Sequence, residues 1–299
     1  MTAINVPHDR LVGVDFAGPA SAAQQRRKII ALEASRLASR TYSVASSGFN
    51  KRLFQARSPG FTACELAQEL LSLPRALVAF DFPFSLPHTL LADEAFAARA
   101  QRDGPFGSWE AFNDFVCANL KLDTPTSLAP FMGWKSKDFW LKRATDSIAA
   151  AQPPLKHQFQ VLFNMTLVGN ALLGMLRPTY AVLPFTPVLD GQSAVLEVYP
   201  GGTMRKLGLR DYKQKPREAI EAVLAQAKSR GVTINIARNV LTFCETYNTR
   251  PRASAADHDG ADALVALVCA IFHREGLSSE LLRPEDSHLR QIEGAIISV

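Results

Sequence analysis

The sequence predicts an α/β fold in which short apolar strands are flanked by helices and interrupted by a mainly helical insertion. Three observations carry that expectation. Runs of β-forming apolar residues recur along the chain, and three of them contain an acid. Stretches of helical periodicity separate the runs. Residues 88–154 hold all three tryptophans, Trp109, Trp134 and Trp140, together with Phe106, Phe112, Phe115, Phe131 and Phe139. That stretch is too long and too apolar for a simple loop. The expected organisation is a first part of the core at 11–87, an aromatic-rich helical subdomain or lid at 88–154, and the second part of the core with the C-terminal helices at 155–299.

The first strand is Leu11-Val12-Gly13-Val14-Asp15, broken by Phe16-Ala17-Gly18-Pro19. Nothing in it offers a polar face to water, so it reads as a buried central strand ending on a carboxylate. Lys28–Glu33 and Thr41–Val44 read as two further strands, antiparallel if 34–40 closes a turn. Thr62 and Glu65 have capping-box spacing ahead of a helix to about Leu73, which Pro74 ends. Ala76–Phe82 is a second buried strand, with Asp81 near its end and Pro83 and Pro87 beyond it. Lys156–Arg177 has helical periodicity. Tyr180–Leu189 and Ser193–Tyr199 flank Asp190-Gly191, a hairpin signal, and the second arm embeds Glu197. Pro216–Arg230 predicts a helix stopped by Gly231. Asp259 or Gly260 opens a last helix through Ile271.

Composition narrows the class. With 299 residues, 47% hydrophobic and 20% charged, the chain has an ordinary globular balance that argues against extensive disorder. A net charge of +5 is compatible with a polyanionic partner but does not establish one. Cys64, Cys117, Cys244 and Cys269 share no metal-type spacing and read as reduced thiols. Met1–Arg10 lacks the apolar core of a signal peptide, and the longest apolar run, Ala263–Phe272, is too short to span a bilayer. A cytoplasmic protein without membrane association is expected.

The acids carry the chemistry. Asp15, Asp81 and Glu197 fall on three separate apolar strands, and Asp257, Asp259 and Asp262 cluster at the start of an apolar helix. Gathered carboxylates repel and raise one another's pKa values unless a cation sits between them. Mg²⁺ or Mn²⁺, which take oxygen ligands, would relieve that repulsion, activate a water and stabilise a leaving oxygen. Each acid also has a structural reading. Asp259 suits an N-cap and Asp262 the helix dipole, Asp81 could cap a turn, and Glu197 could pair with a cation. Gly201-Gly202-Thr203 matches no phosphate-loop pattern and reads as a strand-to-helix turn. His258 alone among the histidines lies beside the acids. The segment from Trp134 to Arg143 mixes cations with aromatic faces, which suits either single-strand binding or a small core.

Four motifs then appear in order: Gly13-Val14-Asp15 with Ala17-Gly18; Asp81-Phe82-Pro83-Phe84-Ser85-Leu86-Pro87; Glu197-Val198-Tyr199-Pro200; and Asp259-Gly260-Ala261-Asp262-Ala263-Leu264. From about residue 11 to about 273 the series resembles domain of unknown function 429, a family of predicted nucleases of ribonuclease H-like fold. The resemblance implies a mixed sheet, antiparallel at first and then parallel, with helices on both faces. It also implies a metal-dependent site of Asp15, Asp81, Glu197 and Asp262, with Asp259 as a further ligand. Arg143-Ala144-Thr145-Asp146 is similar to a family segment, which places Arg143 toward substrate; Lys135 and Lys137 are further candidates for phosphate contact. Ribonuclease H-like nucleases usually carry another acid on a helix after the third strand, and no counterpart to it is placed here, Glu65 reading as a cap.

The expected function is therefore a metal-dependent phosphodiester hydrolase acting on nucleic acid or another phosphate ester. Its rivals are phosphotransfer or ATP binding of the sugar-kinase and actin-like kind on the same core, and a binding module whose acids are structural.

Overall fold

The computed structural model describes residues 8–18, 21–55, 59–122, 127–158, 162–247 and 259–299. The strands are β1 (Arg10–Asp15), β2 (Ile30–Ala38), β3 (Thr41–Val44), β4 (Ala76–Asp81), β5 (Tyr180–Val182), β6 (Ser193–Val198), β7 (Thr233–Ile236), β8 (Ser279–Glu280) and β9 (Ile296–Ser298). They form one mixed, curled sheet in the order β7-β3-β2-β1-β4-β6-β9-β8, with β5 also paired to β6. β2 runs antiparallel to both β1 and β3, whereas β1, β4, β6 and β9 are mutually parallel. Strand β1, the expected centre, lies between β2 and β4.

Side chains alternate across this sheet with period two. Val12, Val14, Val78, Phe80 and Val195 point into one apolar core, together with the helices Ala63–Leu71, Trp109–Asn119 and Leu162–Leu176. Leu11, Leu77, Ala79, Leu196 and Val198 point into the other, under the helices Pro216–Ser229, Arg238–Thr246 and Asp259–Arg274. The last helix is buried from Asp259 to Phe272. Its backbone lies directly on β1 because Gly13 has no side chain. A Cβ there would stand 2.1 Å from the Leu267 nitrogen and 2.5 Å from the Ala263 oxygen, distances that only glycine avoids.

The predicted capping box forms. The Glu65 N–H donates to Thr62 Oγ1 at 3.1 Å, and the Thr62 N–H donates to Glu65 Oε2 at 3.0 Å. Two expectations change. β5 and β6 pair in parallel, so there is no hairpin. Pro184 and Pro187 cannot donate to a ladder, and the chain loops round to re-enter in the same direction. The helix expected from Lys156 is instead described from Leu162 to Leu176. Lys156 lies before it in non-helical chain, accepting the Phe163 N–H at 3.0 Å.

Residues 88–154 contribute the short helices His88–Leu91, Glu94–Arg99 and Ala144–Ile148 around the longer Trp109–Asn119. Their aromatics share one apolar core with the sheet. Buried Trp134 is ringed by Phe96, Phe106, Phe112, Phe115 and Phe131 at 4.7 to 6.2 Å between centroids. Trp109 stacks on Phe185 at 4.4 Å and donates its indole N–H to the Phe84 carbonyl at 2.8 Å. Trp134 therefore works as packing and is closed to a nucleic-acid base. No helix among the described residues is long and apolar enough to cross a membrane.

Candidate functional site

Parallel pairing of β1 with β4 sets Asp15 and Asp81 directly opposite each other at the C-terminal ends of the two strands. Both continue the alternation of Leu11–Gly13 and Leu77–Ala79, so both face the Asp259–Arg274 helix. The first turn of that helix carries Asp259 and Asp262, and its close seating on Gly13 brings them over the two strand ends. On the other side, Gly18 rests on the Leu162–Leu176 helix, where a Cβ would meet the Asn164 oxygen at 2.4 Å. The loop that leaves Asp15 is thus held down from one face while the last helix closes the other.

The electrostatics of this corner are unbalanced. Asp15 is 9% exposed and Asp262 4%. Burial holds the Asp15 carboxyl well above the usual carboxylate range, and Asp259, Asp262 and Asp81 push it further. Asp81 is raised for the same reasons, burial first and then Asp262. Lys213 opposes both shifts. Among the described residues no group donates a hydrogen bond to the carboxylate of Asp15 or Asp81. Asp262 Oδ2 lies 3.3 Å from Lys213 Nζ, whereas Asp262 Oδ1 is buried without a hydrogen-bond partner among the described residues. Buried Tyr212 lines the same corner, its phenol raised by burial and then by Asp262 and Asp81.

This donor set suits a hard divalent cation, being all carboxylate oxygen and short of hydrogen bonds. As placed, no three or more His, Cys, Asp or Glu side chains among the described residues converge closely enough to hold an ion. The acids share a region rather than a single point.

Glu197 leaves the set, and the reason is strand alternation. Phe80 is its cross-strand partner, and it shares the face of Val195, opposite to Asp15 and Asp81. There Arg143 grips it in a fork, Nη2 to Oε1 at 2.5 Å and Nη1 to Oε2 at 2.7 Å, and the Phe84 N–H donates to Oε2 at 3.0 Å. Its carboxylate is already satisfied and is not a ligand of the cluster.

Arg143 is corrected with it. At 1% exposure it cannot meet a substrate; it binds Asp146 Oδ1 at 2.7 Å, Asp146 Oδ2 at 3.0 Å and the Glu293 carbonyl at 3.2 Å. Lys135 and Lys137 are exposed, Lys135 with its Nζ 5.3 Å from the centre of the Phe163 ring, and no contact joins either to the acids. Gly201-Gly202-Thr203 lies inside the helix Pro200–Lys206, the expected strand-to-helix turn. Asp257 and His258 fall outside the described residues. Sequence reading missed Tyr212 and Lys213, which carry no motif and reach the acids only through the packing of the turn Tyr212–Gln214.

No family model, curated protein or solved structure matches the chain. The family resemblance rests on its four motifs alone.

Proposed function

We propose that this chain is a divalent-cation-dependent phosphodiester hydrolase with a ribonuclease H-like core and a site of Asp15, Asp81 and Asp262, with Asp259 at its rim. The observation that carries this reading is the cross-strand pairing of Asp15 with Asp81 beneath the first turn of the last helix. Two carboxylates at the ends of adjacent central strands, Asp15 buried and Asp81 partly exposed, with no hydrogen bond from the described residues, are costly in the ion-free protein. Such a cost is characteristic of a site built for a ligand. Mg²⁺ or Mn²⁺ held there would supply an activated water and positive charge at the leaving oxygen of a phosphate ester. The residues of the chain orient that chemistry. Strand pairing fixes the Asp15–Asp81 spacing, Gly13 lets Asp262 approach it, and Asp262 Oδ1 has no hydrogen-bond partner among the described residues. Glu197 and Arg143 hold the opposite face, and the Phe84 N–H bond to Glu197 steadies the chain just after Asp81.

The test compares the wild type with Asp15→Asn, Asp81→Asn and Asp262→Asn on single-stranded, duplex and hybrid oligonucleotides, with Mg²⁺ or Mn²⁺. Each variant is expected to lose about 100-fold or more of the cleavage rate, the scale of removing one preorganised electrostatic group. A wild type that cuts nothing, or variants that cut as well as it does, refutes the reading.

A further inference from the structure

β3 stops at Val44, and the turn Gly48–Phe54 takes its place beside β2. Asn50 pins it there, its amide donating to the Glu33 and Ala45 carbonyls at 2.8 and 2.7 Å. The helix Arg238–Thr246 leaves the end of β7 and packs against that turn. Between the two lies an open groove of about 680 Å³, lined by Phe54, Arg238, Asn239, Thr242, Phe243 and Thr246. The nine residues of the helix make it about 13 Å long at 1.5 Å per residue. Its inner end reaches the acid-bearing helix. Gly260, between Asp259 and Asp262, rests on this wall, and a Cβ there would stand 3.2 Å from the Phe243 oxygen. Next to it the Tyr247 O–H donates to the Arg27 carbonyl at 2.8 Å, which brings the end of the helix Ala22–Lys28 to the same place.

The lining decides what fits. Phe54 is 43% exposed, and half-buried Phe243 adds a second ring, stacked on Tyr247 at 4.6 Å. Residues three apart in a 3-10 turn eclipse one another, so Lys51 stands on the Phe54 side. Arg27, Lys51 and Arg238 are all exposed, and none of them forms an ion pair among the described residues. No carboxylate among the described residues lines the groove. Glu245, on the same helix, pairs instead with Arg217 at 3.3 Å. We propose that this groove binds single-stranded nucleic acid. Three unpaired cations along one groove suit a polyanion, and open rings suit bases that are free to stack on them. An acidic peptide would meet the cations and leave the rings unused, whereas a duplex would keep its bases from Phe54 and Phe243. The proposal goes beyond the hydrolase reading and stands without it, because binding here needs neither a metal ion nor cleavage.

Fluorescence anisotropy of a labelled oligothymidylate of about 12 nucleotides, within the site sizes of single-strand grooves, tests this on the full chain in EDTA. Salt is varied from about 50 to about 200 mM. Arg27→Gln, Lys51→Gln and Arg238→Gln should each weaken binding about fivefold near 0.1 M salt and lower the slope of log K against log salt by about 0.7. Phe54→Ala should weaken binding about tenfold and leave the slope unchanged. Arg75→Gln, an exposed arginine before β4 at the opposite rim of the sheet, should bind like the wild type. All five substitutions fall on exposed side chains, and affinity and slope together separate a lost contact from a lost fold. A wild type that does not bind overturns the proposal. So do groove variants that bind no worse than Arg75→Gln, or a duplex or polyglutamate bound as tightly as the single strand. A protein that binds in this way but cuts nothing upholds the groove and refutes the hydrolase. One that cuts but is indifferent to the groove variants does the reverse.

Discussion

Asp81 and Glu197 stand on neighbouring parallel strands, one register step apart, and have opposite fates. Glu197 faces the side of the sheet where Arg143 waits, and the pair is completed by Asp146, the Phe84 N–H and the Glu293 carbonyl. Asp81 faces the other side, where Asp15 is its cross-strand partner, Asp262 raises it further and Lys213 opposes the rise. Both carboxyls are raised, but for Glu197 burial is offset by Arg143, whereas for Asp81 burial is reinforced by Asp262. A buried acid with a full set of partners holds the molecule together, whereas Asp81 has no hydrogen-bond donor among the described residues and keeps its cost. The strand face, set by a single residue of register, decides between them.

Breaking the matched side should have the largest effect. Arg143→Met strands Asp146 and Glu197 inside the protein, each 3% exposed or less. Loss of one member of a buried ion pair costs about 3–5 kcal/mol. Urea unfolding should show this as a large fall in midpoint, and an unchanged midpoint would mean the cluster holds nothing. The unmatched side should respond with the opposite sign. Asp81→Asn removes an uncompensated charge, so the ion-free protein should gain about 0.5–2 kcal/mol. It should also lose any rise in melting temperature caused by Mn²⁺. Destabilisation by Asp81→Asn would erase the contrast.

The smallest effect is in pH. Raised folded-state pKa values mean that native Asp15 and Asp81 hold protons the unfolded chain has released. Their contribution therefore becomes more favourable as pH falls through those raised values, and levels off near the ordinary carboxylate pKa. Asp259, Asp262 and Lys213 face the same corner and set the width of that window. The stability advantage of Asp15→Asn/Asp81→Asn over wild type should shrink between about pH 7 and about pH 4. Parallel curves for the two proteins would count against repulsion as the cause.

Much of this was legible in the chain. The apolar runs of β1 and β4, the Thr62–Glu65 cap and the last helix all declare themselves by period and end signals. Asp15 and Asp81 could be placed because strands that end on an acid bring that acid to the edge of the core. Glu197 was misjudged because Ser193–Val198 is buried at every position. Without a polar face, alternation has nothing to mark, and only the neighbouring strands show which way Glu197 points. Arg143 lies 54 residues from Glu197, and no local pattern signals a partner so distant. Lys213 was invisible for the same reason. β7 escaped notice because it is only four residues long: Thr-Ile-Asn-Ile alternates polar and apolar, but none of the four is fully buried.

The bare strip at Gly13 also bears on the order of assembly. β1, β2 and β4 can all pair once residue 81 has left the ribosome, whereas the helix that covers Gly13 arrives only with residues 259–274. Until then the nascent sheet carries an open furrow along its middle strand, shaped for one particular backbone. The acid cluster is therefore assembled only after residues 259–274 have been made, and a chain halted before them would present half of the acids and an uncovered furrow for chaperones to shield.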